Sequence, residues 1–294
     1  MLGIEELVDA IDSTPQQLPT EEITVPGAGA IVLDAVFESG RFSTTFIATI
    51  DDQTVHLKRR ISDQEADLAA MERTVLERIR DSPHEGIVDV IFVHVAPGHD
   101  WTAMDCIGSE TSLDDILRYL GPLPAASVQG YLSQLCHALG HLHANMNIMH
   151  RDVAPANVLV DVRGVTVKLT GFHYATTDTT TDTIVGTPEF MAPEMFTSTV
   201  GYTKAVDWWS LGGVASELLT GETPFAPNDP AADDETAIKT MLRRILHDRI
   251  VLPSSIINGP YEVAFVMALL ERDPLARLGA DGHESVLAHE FFHA

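Results

Sequence analysis

Strands and helices are segregated along this chain. From residue 31 to 60, and again in two runs before Gly108, the pattern is strand-like, with one helix between, and after Leu113 nearly the whole chain reads as helical. That order predicts an α+β protein: a small sheet-rich lobe, a hinge near Asp105–Gly108, then a larger helical lobe. In the first lobe IVLDAVF, FSTTFIATI and TVHLKRRI read as three consecutive antiparallel strands, with turns at Glu38–Gly40 and Asp51–Asp52. Ser62 and Glu65 make a Ser-x-x-Glu capping box that opens a helix to about Arg80, with Leu68, Met71, Val75, Leu76 and Ile79 on one side. IVDVIFVHV and WTAMDCI supply two more strands. The second lobe is expected to hold helices over 113–120, 125–145, 206–220, 236–247 and 261–271. Before residue 31, Leu2, Ile4, Leu7, Val8 and Ile11 form the stripe of one short helix. Pro15, Pro19, Pro26 and the GAGA run at 27–30 then interrupt regular structure. The expected partition is an N-terminal extension over 1–30, a first lobe over 31–105 and a second over 106–294.

Charge limits the partners. The chain has 294 residues with 43 acidic against 18 basic side chains, a formal net charge of −25. A body this negative repels nucleic-acid backbones and anionic lipid, which leaves another protein or a basic peptide as the complementary partner. Plain solubility is the other reading of the same charge. Cys106 and Cys136 make no disulfide framework and suit a reducing compartment. The first residues, MLGIEELVDAIDS, are acidic where a signal peptide is positive, and no run approaches the roughly 18 apolar residues of a membrane helix. A cytoplasmic protein is expected, with neither nucleic acid nor membrane as partner.

The chemistry lies in five blocks: HRDVAPANVLV at 150–160, VKLTGFHYA at 167–175, GTPEFMAPEM at 186–195, DWWSLGGVASELLTGETPF at 207–225 and RDPLARLG at 272–279. In this order and spacing, over about 31–294, they resemble the eukaryotic-type protein kinase domain, most of all its AGC and calcium/calmodulin-type serine/threonine groups. The resemblance implies a bilobal kinase-like fold with a small β-rich N-lobe and a larger α-helical C-lobe. It also implies roles. Lys58 in VHLKRR falls at the phosphate-pairing lysine, with Glu72 on the next helix as its partner. Asp152 falls at the carboxylate that orients the attacking hydroxyl, and Asn157 at one magnesium ligand. Gly40, Met104 at the gatekeeper position, Cys106 in the hinge and Leu159 fall, with Lys58, at the nucleotide slot. His150, Phe172, Leu76 and Asp207 match residues that link the lobes, and Glu194 and Arg277 match a buried ion pair.

The departures from the family pattern fall on the reacting groups. Phosphoryl transfer needs a phosphate cradle, a lysine, magnesium ligands and a carboxylate beside the hydroxyl. The family's Asp-Phe-Gly reads Gly171–Phe172–His173, so the main metal ligand has become a hydrogen. Asn157 alone is a neutral, weak holder of magnesium, imidazole at His173 is a poor ligand, and Asp178 or Asp182 would serve only after the loop rearranges. Ala154 and Ala156 replace a catalytic-loop lysine and an acidic residue that reads basic substrates. ESGRFSTTF keeps only Gly40 of the phosphate cradle, with Glu38 and Ser43 at the flanking glycines. Thr45 and His56 stand where valine and alanine roof the adenine, and His56 crowds that slot.

An intact framework around a depleted site leads to the expectation of a pseudokinase. It would act as a signalling scaffold or allosteric regulator, with weak or absent magnesium-ATP binding and no cofactor required for the fold. The alternative is a weak or unconventional serine/threonine kinase. In the threonine-rich activation segment, Thr183 lies where many such kinases are phosphorylated, and a phosphate there would pair with Arg151; a solvated polar loop is the other reading. His137, His141 and His143 share one helix without further ligands and read as ordinary histidines of the fold.

Overall fold

The computed structural model describes residues 16–25, 29–39, 43–61, 66–96, 99–105, 111–161, 163–226, 234–252 and 259–293. The expected short helix near the N-terminus, the Ser62–Glu65 capping box, Gly40 and the hinge from Cys106 to Gly108 lie outside the described residues, as does the side chain of Glu38.

The first lobe is an antiparallel sheet of β1 (Gln16–Val25), β2 (Gly29–Ser39), β3 (Ser43–Ile50), β4 (Gln53–Ile61), β5 (Val90–Ala96) and β6 (His99–Asp105), in the order β1-β2-β3-β4-β6-β5. The expected extension over 1–30 needs correcting, because Gln16–Val25 belongs to this sheet. Its ladder to β2 pairs Ile23 with Ile31 and Val25 with Gly29, and Val25 enters the lobe's core beside Ile31, Leu33, Phe46, Leu57 and Trp101. Pro19 does not prevent this: β1 is an edge strand, and the register shifts between Gln17 and Glu21, where a missing N–H breaks no ladder bond.

Helix α1 (Ala66–Asp81) buries Ala69, Glu72, Val75, Leu76 and Ile79, so its inner stripe includes a carboxylate. Leu68 and Met71, expected on that stripe, are only half-buried.

The second lobe holds α2 (Leu113–Leu120), α3 (Ala125–Gly140), α4 (Glu194–Thr197), α5 (Ala205–Thr220), α6 (Asp234–Leu246), α7 (Pro260–Leu269) and α8 (His283–Leu287), with a hairpin of β7 (Val158–Val160) and β8 (Val167–Leu169). Helix α5 is apolar nearly all round and is correspondingly enclosed: every residue but Glu217 is buried. The α-helix expected to run to 145 ends at Gly140 and widens into a π-helical turn over His141–Asn145. That turn carries His143 to Asp207 in the first turn of α5, with Nε2 2.7 Å from Oδ2. Glu194 and Arg277 meet through paired contacts of 2.6 and 2.9 Å, and Arg277 is 2% exposed.

Candidate active site

The lobes enclose a cleft of about 850 Å³ whose lining includes His56, Lys58, Glu72, Asp152, Asn157, Leu159 and Gly171–Tyr174. Its roof comes from the period-two alternation of β4, which puts residues 56, 58 and 60 on one face of the strand. His56 is 3% exposed and stacks on Phe37 of β2, ring centroids 4.6 Å apart at 16°. Its Cα is paired in the ladders with those of Ile47 and Met104, while Thr45 is paired with Lys58. Both stacked rings line this cleft, as do the buried Met104 and Leu159.

Lys58 Nζ donates to Glu72 Oε1 at 2.6 Å. The second oxygen of Glu72 accepts from Arg60, whose NH1 is also 2.7 Å from Nδ1 of His173. Burial pushes the Glu72 carboxyl up, but Lys58 and Arg60 outweigh it and hold the carboxyl well below the usual range.

The loop at 150–152 is set by Asp207. Its Oδ2 accepts from His150 N at 2.9 Å and its Oδ1 from Arg151 N at 2.7 Å. These bonds hold Arg151 at a φ of +68°, a left-handed conformation that a long side chain rarely adopts. His150 Nε2 lies 2.8 Å from the Thr170 carbonyl, so it carries the ring proton, and Nδ1 accepts from Asp152 N at 3.2 Å. Phe172 packs edge-on against the His150 ring at 4.9 Å, and Leu76 joins them in the same core. Asp152 is held at both oxygens: Oδ1 accepts from the Thr187 amide and hydroxyl, each at 2.7 Å, and Oδ2 from Asn157 Nδ2 at 2.8 Å. The β7–β8 hairpin continues into Thr170 N donating to Asn157 O at 2.9 Å, which brings Asn157 beside Gly171. A lysine paired to a helix carboxylate thus stands across one cleft from an anchored aspartate. The family of the chain follows from this arrangement and from its sequence, since the pattern of the protein kinase domain matches residues 39–292.

The chain belongs to the protein kinase domain family. Among its relatives, serine/threonine-protein kinase YPK1 of Saccharomyces cerevisiae is 33% identical over 237 residues, covering 79% of this chain and 32% of that protein. Serine/threonine-protein kinase gad8 of Schizosaccharomyces pombe is 31% identical over 296 residues, covering 99% of this chain and 48% of that protein. Serine/threonine protein kinase ypkA of Aspergillus fumigatus is 39% identical over 166 residues, or 55% of this chain and 24% of that protein. The chain therefore spans at most about half the length of these relatives. No helix among the described residues of the kinase domain is long and apolar enough to cross a membrane.

Within this kinase domain the residues present do not fit a magnesium ion. Gly171 sits at φ +78°, and a Cβ built there would collide with the side chain of Asn157, whose oxygen faces this spot. The nitrogen of that amide is committed to Asp152, so beside Gly171 stand one neutral oxygen and a carboxylate already holding Asn157 and Thr187, in place of the two carboxylate-type ligands a magnesium ion needs. Asp178 accepts from Thr176 Oγ1 at 3.0 Å, and neither it nor Asp182 lines the cleft. Among the described residues no group of three or more His, Cys, Asp or Glu side chains has metal-binding geometry. His141 instead lies 3.2 Å from Ser82 Oγ and stacks on His84, and His137 meets His283 edge-on.

Thr183 is exposed. Arg151, expected as the partner of a phosphate there, is 5% exposed and already in use: Nε donates to the Tyr174 carbonyl at 2.6 Å and NH1 to Tyr202 Oη at 3.3 Å. Tyr202 in turn donates its hydroxyl to the Thr183 carbonyl. Ala154 is buried, and Ala156 lines the cleft.

The sequence reading did not anticipate Arg60, Thr187, Phe37 or Tyr202. For Arg60 the signal was available, because a residue two beyond Lys58 shares its face. For Thr187 and Tyr202 no spacing rule points to the contact, which spans 35 residues in one case and 19 in the other.

Proposed function

We propose that this domain is a regulator of another protein that uses the kinase fold without magnesium-dependent turnover. The carrying observation is the pairing of Gly171 with the Asn157 side chain where a metal-binding carboxylate would have to stand. The His56–Phe37 stack adds to it by narrowing the adenine slot. A partner with a basic surface complements the net charge of −25, and a cytoplasmic site suits the two cysteines.

Phosphoryl transfer to serine or threonine is the second reading, and the comparisons favour it, because the relatives are named as kinases. The pairing of Lys58 with Glu72 and the anchoring of Asp152 by Thr187 and Asn157 also speak for it. Radiolabel transfer from ATP to a generic basic protein, measured for wild type and Asp152→Ala, separates the two. Transfer at or below the Asp152→Ala background is the expected result. Robust transfer that Asp152→Ala abolishes establishes the second reading.

A further inference from the structure

The turn after Gly171 brings a C-lobe histidine up to a buried N-lobe arginine. We propose that Arg60 and His173 are positioning residues: together they form a clamp that keeps Glu72, and with it helix α1, turned into the cleft. This goes beyond the function proposed above and holds under either reading of turnover.

Three elements meet at one guanidinium nitrogen. NH1 of Arg60 on β4 donates to Oε2 of Glu72 on α1 and, at 2.7 Å, to Nδ1 of His173 in the segment that follows β8. That nitrogen carries two hydrogens, so both acceptors can be served at once. The guanidinium is always charged, and the ring therefore accepts at Nδ1 and keeps its proton at Nε2. His173 Nδ1 and Glu72 Oε2 are 3.8 Å apart, so the arginine bridges two acceptors that do not bond each other. His173 is steadied by Tyr174, ring centroids 4.4 Å apart, and Arg60 is 3% exposed.

The consequence concerns Glu72. If Lys58 were its only cation, any anion drawing Lys58 away would strand a carboxylate that is 4% exposed. With Arg60 on the second oxygen the carboxylate keeps a partner, and the helix has no reason to swing out. A glycine at 173 would remove this ring acceptor, and with it the tie that the histidine makes between the lobes at this point.

Hydrogen exchange of the full chain, read by mass spectrometry without nucleotide, tests the clamp. Arg60 is too buried for its loss to be informative on its own, so the variants are His173→Gly and His173→Asn; the asparagine oxygen can take the place of Nδ1. His173→Gly is expected to speed exchange over 66–81 about tenfold, the signature of one lost hydrogen bond to a charged group, with 205–220 unchanged. His173→Asn is expected to stay near wild type. Wild-type exchange over 66–81 in His173→Gly, an equal rise over both helices, or an asparagine variant as fast as the glycine one would each overturn the proposal.

Discussion

Gly171 is the residue on which the reading of the site turns, and the structure sharpens what restoring it would involve. Aspartate tolerates a left-handed backbone better than most residues, so φ +78° is not the obstacle to Gly171→Asp. The obstacle is Asn157, which has to give way. Even then His56 and Phe37 still line the roof, where crowding of a purine would cost about 1–3 kcal/mol, the scale of overpacking. We expect Gly171→Asp alone to leave ATP affinity close to wild type, and Gly171→Asp with His56→Ala and Glu38→Gly to raise it. A single variant that binds as tightly as the triple one shows that the roof is no barrier. At the far side of the C-lobe, Glu194→Ala or Arg277→Ala strands one member of a buried pair and should lower stability by about 3–5 kcal/mol. Arg277 has the most to lose, since its Nε and NH1 also donate to the Glu271 and Ala205 carbonyls, each at 2.8 Å. Unchanged melting in both variants would contradict the pairing.

Among the elements, the activation segment is held by tyrosine where the sequence suggested phosphate. Tyr202 Oη bridges Arg151 and the Thr183 carbonyl, so Tyr202→Phe should cost about 1 kcal/mol and make 176–187 more open to limited proteolysis. A cleavage rate equal to wild type would mean the bridge does not order the segment. This contact illustrates where the sequence was legible. Strands and helices with strong periodicity were readable, as was the closeness of Lys58 to Glu72 and of Glu194 to Arg277, because family spacing carries them. β1 was not readable, since three prolines and a glycine run mask a strand that survives only as a sheet edge with a shifted register. In α1 the inner stripe was legible at Val75, Leu76 and Ile79 but not in its first half, where tertiary partners from β4 and the C-lobe bury Glu72 in preference to Leu68 and Met71. Contacts made by single side chains from distant segments leave no local pattern, and Thr187 on Asp152 is of that kind.

Taken as a whole molecule, the fold should be acid-sensitive, with Asp114 and Glu217, whose carboxyls burial pushes up, acting the other way. Burial holds the His84 and His150 rings below their ordinary value, so they stay neutral in the fold. The unfolded chain takes up those protons first, and stability falls as pH drops below about 6.5. For Asp207, burial pushes the carboxyl up, but His143 and the other partners outweigh it and hold it low, as their counterparts do for Glu72. That stability is lost further down, as pH falls below the ordinary carboxylate range of about 4. Glu217 opposes them: burial, then Asp114 and Glu189, push its carboxyl up from 4.5 to about 7, so the unfolded chain ionises first and the cost to folding builds between those values and persists above them. Glu217→Gln should therefore raise the melting temperature at pH 8 and change it little at about pH 4, below the unfolded value. The same gain at both pH values would show that the carboxyl is not the titrating group. A kinase-family cleft that does not handle magnesium-ATP should show, by calorimetry in magnesium buffer, an ATP Kd above about 100 µM, or less than roughly 5.5 kcal/mol of binding free energy, unchanged when magnesium is removed. A low-micromolar Kd that disappears with the metal would contradict it.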